Sequence, residues 1–321
     1  MSFLATRGAI GIQLRGWLGN QMFQYAAART LADRLGCSLV LAGHTLGRRL
    51  GVIGHVLGLD RRQEDKKILQ KGMQRNGLLQ AAFGCGPGFC GGRAAELAIP
   101  QLRRLWLRQT FVPHSFEVGD SSHEEFDARL FDQRQGTWLS GWFQSEKYFA
   151  ANLQQVRAWF RPKAEVERRV EEAMARWPRP PEAMAALHVR RGDYGIIRDA
   201  MGDGERGWLL PMTYYREALA RIPNDVSLVI FSDDPDWAAH EFADLHPVVS
   251  RGNSAAVDMF LLARCRWNVT ANSSFSWWAA WLNRRDDKIV FAPRHHLGWR
   301  VGRWVPGGIE VAGWHYLAVA R

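Results

Sequence analysis

A chain of 321 residues, 47% apolar and 23% charged with no low-complexity tract, is composed like an ordinary globular protein of about two domains, which excludes a disordered or fibrous one. Its formal net charge of +10 is spread along the chain, with only short clusters such as Arg103 to Arg108, so nucleic acid is not an expected partner. No apolar run suits a signal peptide or reaches the roughly 18 to 20 residues that cross a bilayer, so the expected location is cytoplasmic, with Cys37, Cys85, Cys90 and Cys265 reduced.

Ile10 to Leu14 alternates like a short strand, Gly16-Trp17-Leu18-Gly19-Asn20 is a tight turn, and Gln21 to Leu35 has helical spacing with Met22, Phe23, Ala26, Ala27, Thr30 and Leu31 on one face. Gly36 stops that helix and Ser38 to Leu41 is the next strand, a unit typical of a parallel sheet. Glycines at such a turn let backbone approach a ligand, and the helix start offers N–H groups and a positive dipole end; the same glycines also serve a turn with no ligand. From His44 to Glu96 the pattern loosens, and the glycine density of Gly84 to Gly92 predicts an exposed loop. An aromatic strand, Trp138 to Ser145, precedes a helix from Glu146 to Phe160.

A charged helical run ends in Trp177-Pro178-Arg179-Pro180-Pro181, the most proline-dense stretch, which sets an expected boundary between domains 1–178 and 179–321. Strands are then expected up to Val189 and over Ser227 to Phe231, Trp267 to Ala271 and Lys288 to Phe291, alternating with helices from Tyr214, near Trp237, near Asp258 and from Ser273. That order is α/β, in two consecutive parallel-sheet domains.

In a parallel sheet the strand ends lie on one side, so three polar clusters in the second half can meet. The apolar run Met184 to Val189 stops at Arg190, Arg191, Gly192, Asp193 and Tyr194. Two guanidinium forks suit a diphosphate; a solvated basic loop is the other reading. Ser232-Asp233-Asp234 follows the next strand, where a carboxylate can accept the N1 and N2 protons of guanine or simply shape a turn. Asp234-Pro235-Asp236 has the look of a two-carboxylate metal site, which its proline and strand-end position disfavour. Asn272-Ser273-Ser274 opens a helix and is either an anion seat or a cap alone. The Asn-x-Ser/Thr triplets at Asn268 and Asn272 are expected to serve backbone capping, and His188 to face inward.

Four separated stretches carry a resemblance: Leu18 to Ala26, Gly141 to Phe149, His188 to Tyr194, and Phe231 to Asp234 with Asn272 to Trp278. They resemble the bacterial α-1,2-fucosyltransferases, glycosyltransferase family 11, in order and spacing over nearly the whole chain; Trp17 stands where that family usually has glycine. The resemblance implies a GT-B type fold of two Rossmann-like domains facing across a cleft. It implies inverting transfer of L-fucose from GDP-β-L-fucose to the 2-hydroxyl of a terminal galactose, with neither metal nor cofactor. Donor contacts are then expected from Gly19, Asn20, Arg190, Arg191, Asp233, Asn272, Ser273, Ser274 and Phe275. Asp193 is the first candidate base and His188 the second. The expected acceptor is a galactose-terminated oligosaccharide or a lipid-linked glycan, which would bring the positive chain to an acidic membrane face.

Overall fold

A computed structural model describes residues 9–42, 115–117, 125–197 and 207–320. The chain groups into two compact units, Met1–Asp120 with Phe126–Arg161, and Ser121–Glu125 with Pro162–Arg321. The Gly84 to Gly92 loop, with Cys85 and Cys90, lies outside the described residues.

The first unit holds β1 (Ala9–Gln13), α1 (Leu18–Arg34), β2 (Ser38–Ala42), β3 (Ser115–Glu117) and β4 (Trp138–Ser140). Its strands are parallel in the order β2-β1-β4-β3. The helix begins before the expected Gln21, so Gly19 and Asn20 form part of its first turn. Its polar residues explain why it is buried on most sides: Gln21 Nε2 donates to the Gly16 carbonyl at 3.0 Å, and Gln24 Oε1 accepts from the Arg15 amide at 2.8 Å. Both amides thus satisfy backbone groups of the turn after β1.

Downstream, the expected aromatic strand ends at Ser140, because Gly141 (φ 152°) and Phe143 (φ 53°) turn the backbone. The expected helix from Glu146 is two pieces, a 3-10 segment Glu146–Asn152 and α2 (Leu153–Trp159). Phe149 breaks it with φ −133° and ψ 19°, its ring buried against Phe23 at a centroid distance of 6.3 Å.

The second unit runs α3 (Ala164–Met174), β5 (Met184–Val189), α4 (Met212–Leu219), β6 (Ser227–Ser232), α5 (Pro235–Glu241), β7 (Val248–Val249), α6 (Ala255–Leu262), β8 (Trp267–Val269), α7 (Ser274–Leu282), β9 (Ile289–Pro293) and β10 (His315–Leu317). Helix α3 buries Val166 and Val170 and packs on α6. The chain therefore divides at Arg161/Pro162, and the expected break at 178/179 falls within the second unit, where the prolines only link α3 to β5.

All six strands are parallel, in the order β10-β9-β8-β5-β6-β7. The sheet is wound outward in both directions from β5, so the strand order reverses between β5 and β8. In open α/β sheets that reversal leaves a crevice at the carboxyl ends of the two strands. Ala185, Leu187 and Val189 pack with Tyr214, Tyr215 and Ala218 of α4 on one face. Met184, Ala186 and His188 alternate to the other, and all six are buried. Beneath the crevice, α7 is anchored by Trp277, Trp278 and Trp281, each at most 3% exposed. Burying a tryptophan stabilises by about 5 kcal/mol as an upper estimate from area, which fixes where α7 begins.

Candidate active site

Off the end of β5, Arg190 lies between two carboxylates: Nη2 is 2.5 Å from Asp193 Oδ1 and Nη1 is 2.9 Å from Asp233 Oδ2. The neighbouring Arg191 donates its backbone N–H to Asp233 Oδ1 at 2.8 Å and its Nε to Asp234 Oδ2 at 3.0 Å. Its guanidinium lies 3.7 Å from the centre of the Trp237 ring, a cation–π stack that holds it flat. Gly192 makes this packing possible, since a Cβ there would stand 2.4 Å from Asp233 Oδ2.

Two guanidinium groups thus face three carboxylates, and the three are not equivalent. Asp233 has both oxygens engaged by the arginine loop. Asp234 also caps α5 by accepting from the Trp237 amide. Asp193 sits on a four-residue 3-10 turn, Gly192–Gly195, with its side chain 40% exposed and one oxygen on Arg190. Of the three, it is the one engaged through a single oxygen.

Across the crevice, after β8, Ser273 caps α7 by accepting from the Phe275 amide at 3.3 Å. Ser274 and Phe275 open the helix and are partly exposed, at its positive dipole end. Asn272 is buried; its Nδ2 donates to the Trp208 carbonyl at 2.8 Å and its own carbonyl accepts from the Tyr194 hydroxyl at 3.0 Å. The β5 loop and the start of α7 are therefore bonded to each other across the reversal of strand order.

The structure brings Arg190, Arg191, Asp193, Asp233, Asn272, Ser273, Ser274 and Phe275 to one end of the second sheet. With both oxygens engaged by the arginine loop, Asp233 braces that loop. Asn272 is a buried brace between segments. His188 is buried beneath Phe275 at a ring distance of 5.0 Å. Burial, with the Arg190 charge adding, lowers its pKa to about 3, so it is a neutral core imidazole and a poor base.

Asn20, in the first unit, accepts from Gln144 Nε2 at 2.8 Å. Gly16 permits this turn: its φ is 74°, and a Cβ would stand 2.5 Å from Asn20 Nδ2. Trp237, which stacks on Arg191, is a site residue that the sequence reading missed; the Asp-Pro-x-Trp spacing after β6, with proline opening a helix, is the signal that points to it. Of the two carboxylates in Asp234-Pro235-Asp236, Asp234 holds Arg191 at 3.0 Å and Asp236 holds Arg251 at 2.7 Å.

The model of Glycosyl transferase family 11 matches residues 114–296, more than half of the chain. The O-antigen biosynthesis glycosyltransferase WbnK of Escherichia coli is 42% identical over 116 residues, covering 34% of this chain and 37% of that protein. An alpha-1,2-colitosyltransferase of Escherichia coli is 30% identical over 163 residues, 48% of this chain and 53% of the relative. Galactoside 2-alpha-L-fucosyltransferase SEC1 of Bos taurus is 34% identical over 110 residues, 32% of this chain and 29% of the relative. The chain thus spans about half or less of the length of these relatives. With a family match over most of the strand-end clusters, the chain belongs to glycosyl transferase family 11.

Proposed function

We propose that this protein is an inverting transferase that moves L-fucose from GDP-β-L-fucose to the 2-hydroxyl of a terminal β-galactose, without a metal. The observation that carries the reading is the meeting of the Arg190–Arg191 loop with the start of α7 where the strand order reverses, which sets two fixed guanidinium groups opposite a helix N-terminus. A relative named for galactoside 2-α-L-fucosyl transfer supports the transferred sugar and the linkage.

In this reaction the bond from the anomeric carbon to the diphosphate breaks as the acceptor oxygen attacks from the opposite face. Negative charge grows on the diphosphate while the sugar becomes oxocarbenium-like. Arg190, with Arg191 beside it and the α7 dipole opposite, stabilises that charge. An incoming diphosphate competes with Asp193 for Arg190 Nη2. Once released, the Asp193 carboxylate accepts the proton of the galactose hydroxyl. Gly19 and Asn20 are the first unit's expected contribution to the donor site, and no cofactor takes part. The acceptor is a galactose-ended oligosaccharide or lipid-linked glycan, reached from the cytoplasmic side of a membrane.

A second reading, transfer of colitose, is favoured by the relative named for it. Offering GDP-fucose, GDP-colitose and GDP-mannose with a galactose-ended acceptor and measuring GDP release separates the donors. Release confined to GDP-fucose supports the proposal; release with GDP-colitose alone selects the second reading, and release with GDP-mannose alone defeats both.

A further inference from the structure

We infer that Tyr194 is a positioning residue that sets the spacing between Arg190 and the Ser273 turn, an inference that rests on the diphosphate reading above. Tyr194 lies one residue beyond Asp193 on the same 3-10 turn, and its aromatic ring and hydroxyl have separate duties. The ring lies 5.4 Å from the Arg190 guanidinium and packs edge to face against Trp208 at 5.4 Å. The hydroxyl donates to the Asn272 carbonyl at 3.0 Å. One side chain therefore touches the arginine on one bank of the crevice and, on the other, the residue that precedes the α7 cap Ser273.

The surroundings hold that side chain in place. The Tyr194 carbonyl accepts from the Trp208 amide at 2.8 Å, while Asn272 Nδ2 returns to the Trp208 carbonyl at 2.8 Å, so Tyr194, Trp208 and Asn272 close a ring of hydrogen bonds. Gly207 allows the close approach: its φ is 77°, and a Cβ would stand 2.6 Å from the Tyr194 carbonyl. Burial first, then the nearby Asp193 and Asp233 carboxylates, raise the phenol's pKa against the lowering effect of Arg190 and Ser273, so the hydroxyl stays protonated and remains a donor. Electrostatic stabilisation depends on donors being held where charge develops. A residue that fixes two anion-binding elements relative to each other acts on that property without touching the diphosphate.

GDP titration of the full chain by calorimetry tests this. Tyr194→Phe keeps the ring and removes the hydroxyl; it is expected to weaken GDP about tenfold, the effect of a lost hydrogen bond with a charged group at stake. Its melting temperature stays within about 3 °C of the parent. Arg190→Lys is expected to weaken GDP more, and the double variant to bind within threefold of Arg190→Lys alone, because Tyr194 acts through the arginine. Parental GDP affinity in Tyr194→Phe, a double variant whose losses multiply, or loss of the cooperative melting transition overturns the positioning role. Parental GDP affinity in Arg190→Ala overturns the diphosphate reading itself and this inference with it.

Discussion

Asp233 Oδ2 lies 2.9 Å from Nη1 of Arg190, and the other oxygen of the same carboxylate takes the Arg191 amide at 2.8 Å. One carboxylate after β6 thereby fixes both the side chain and the backbone of the loop after β5. Asp233→Asn removes the charge of this brace and is expected to weaken GDP about tenfold and inorganic pyrophosphate by the same factor within threefold, because both ligands sense a displaced Arg190. The repulsion relieved by losing the carboxylate is the smaller effect, since Asp233 is 26% exposed and screened by water. Weakened GDP with unchanged pyrophosphate would return Asp233 to a role in reading guanine.

Gly192→Ala should act through the same contact, since the added methyl must push Asp233 Oδ2 away from 2.4 Å. Gly192 is exposed on a short turn, so the variant is expected to fold with a melting temperature within about 3 °C of the parent while GDP weakens about tenfold. The combined Gly192→Ala, Asp233→Asn variant should be no worse than the weaker single one; losses that multiply would mean the two residues act apart.

Two buried imidazoles make the fold sensitive to acid. Burial lowers the pKa of both His188 and His296 to about 3, so in the folded chain they stay neutral where an unfolded histidine, with pKa near 6.5, takes a proton. The stability tied to them is fully present above about pH 6.5 and is lost as pH falls toward 3, at about 1.4 kcal/mol per pH unit for each. Urea unfolding at pH 7 and pH 5 should show a loss of about 4 kcal/mol from the pair. His188→Leu, which also removes a buried Nδ1 that has no partner, should halve that loss. Equal stability at both pH values would contradict the burial of these rings.

Asn268 shows what a glycosylation-type triplet does in a core. It is fully buried; its Nδ2 lies within 3.0 to 3.3 Å of the carbonyls of Leu262, Cys265 and Trp267, and its Oδ1 accepts from Asn283 at 2.9 Å. Asn268→Leu removes these bonds, leaving the Leu262 carbonyl the Cys265 amide at 3.3 Å and the Cys265 carbonyl Asn283 Nδ2 at 2.8 Å, and should destabilise by about 2 kcal/mol, measured by urea unfolding, with GDP affinity of the folded protein unchanged. An unchanged urea midpoint would contradict it.

The parallel-sheet pattern was legible wherever burial wrote it into composition. β5 is covered on both faces, so Met184 to Val189 is a continuous apolar run, and the charges that end it mark a strand end. The backbone bonding expected for Asn268 matches its contacts, since its Nδ2 faces the carbonyls that end α6 and lead into β8. Short edge strands were not legible: Val248–Val249 and His315–Leu317 are defined by neighbours distant in sequence, not by their own periodicity. Prolines at 178, 180 and 181 suggested a boundary, yet Val166 and Val170 cover α6, and a helical stripe does not reveal what it will cover. In the site, the residue types and their strand-end placement were readable. The pairings were not, because whether Asp233 faces arginine or solvent depends on a glycine contact between two separate turns.

The most direct test is transfer from GDP-fucose to a galactose-ended oligosaccharide in excess EDTA, with GDP release and product linkage measured together. Stoichiometric GDP release and an α-1,2-linked fucosyl galactose, both reduced at least a hundredfold in Arg190→Ala, is the predicted result, since guanidinium groups carry the leaving charge. Activity abolished by EDTA, a different linkage, or full activity in Arg190→Ala would contradict the account.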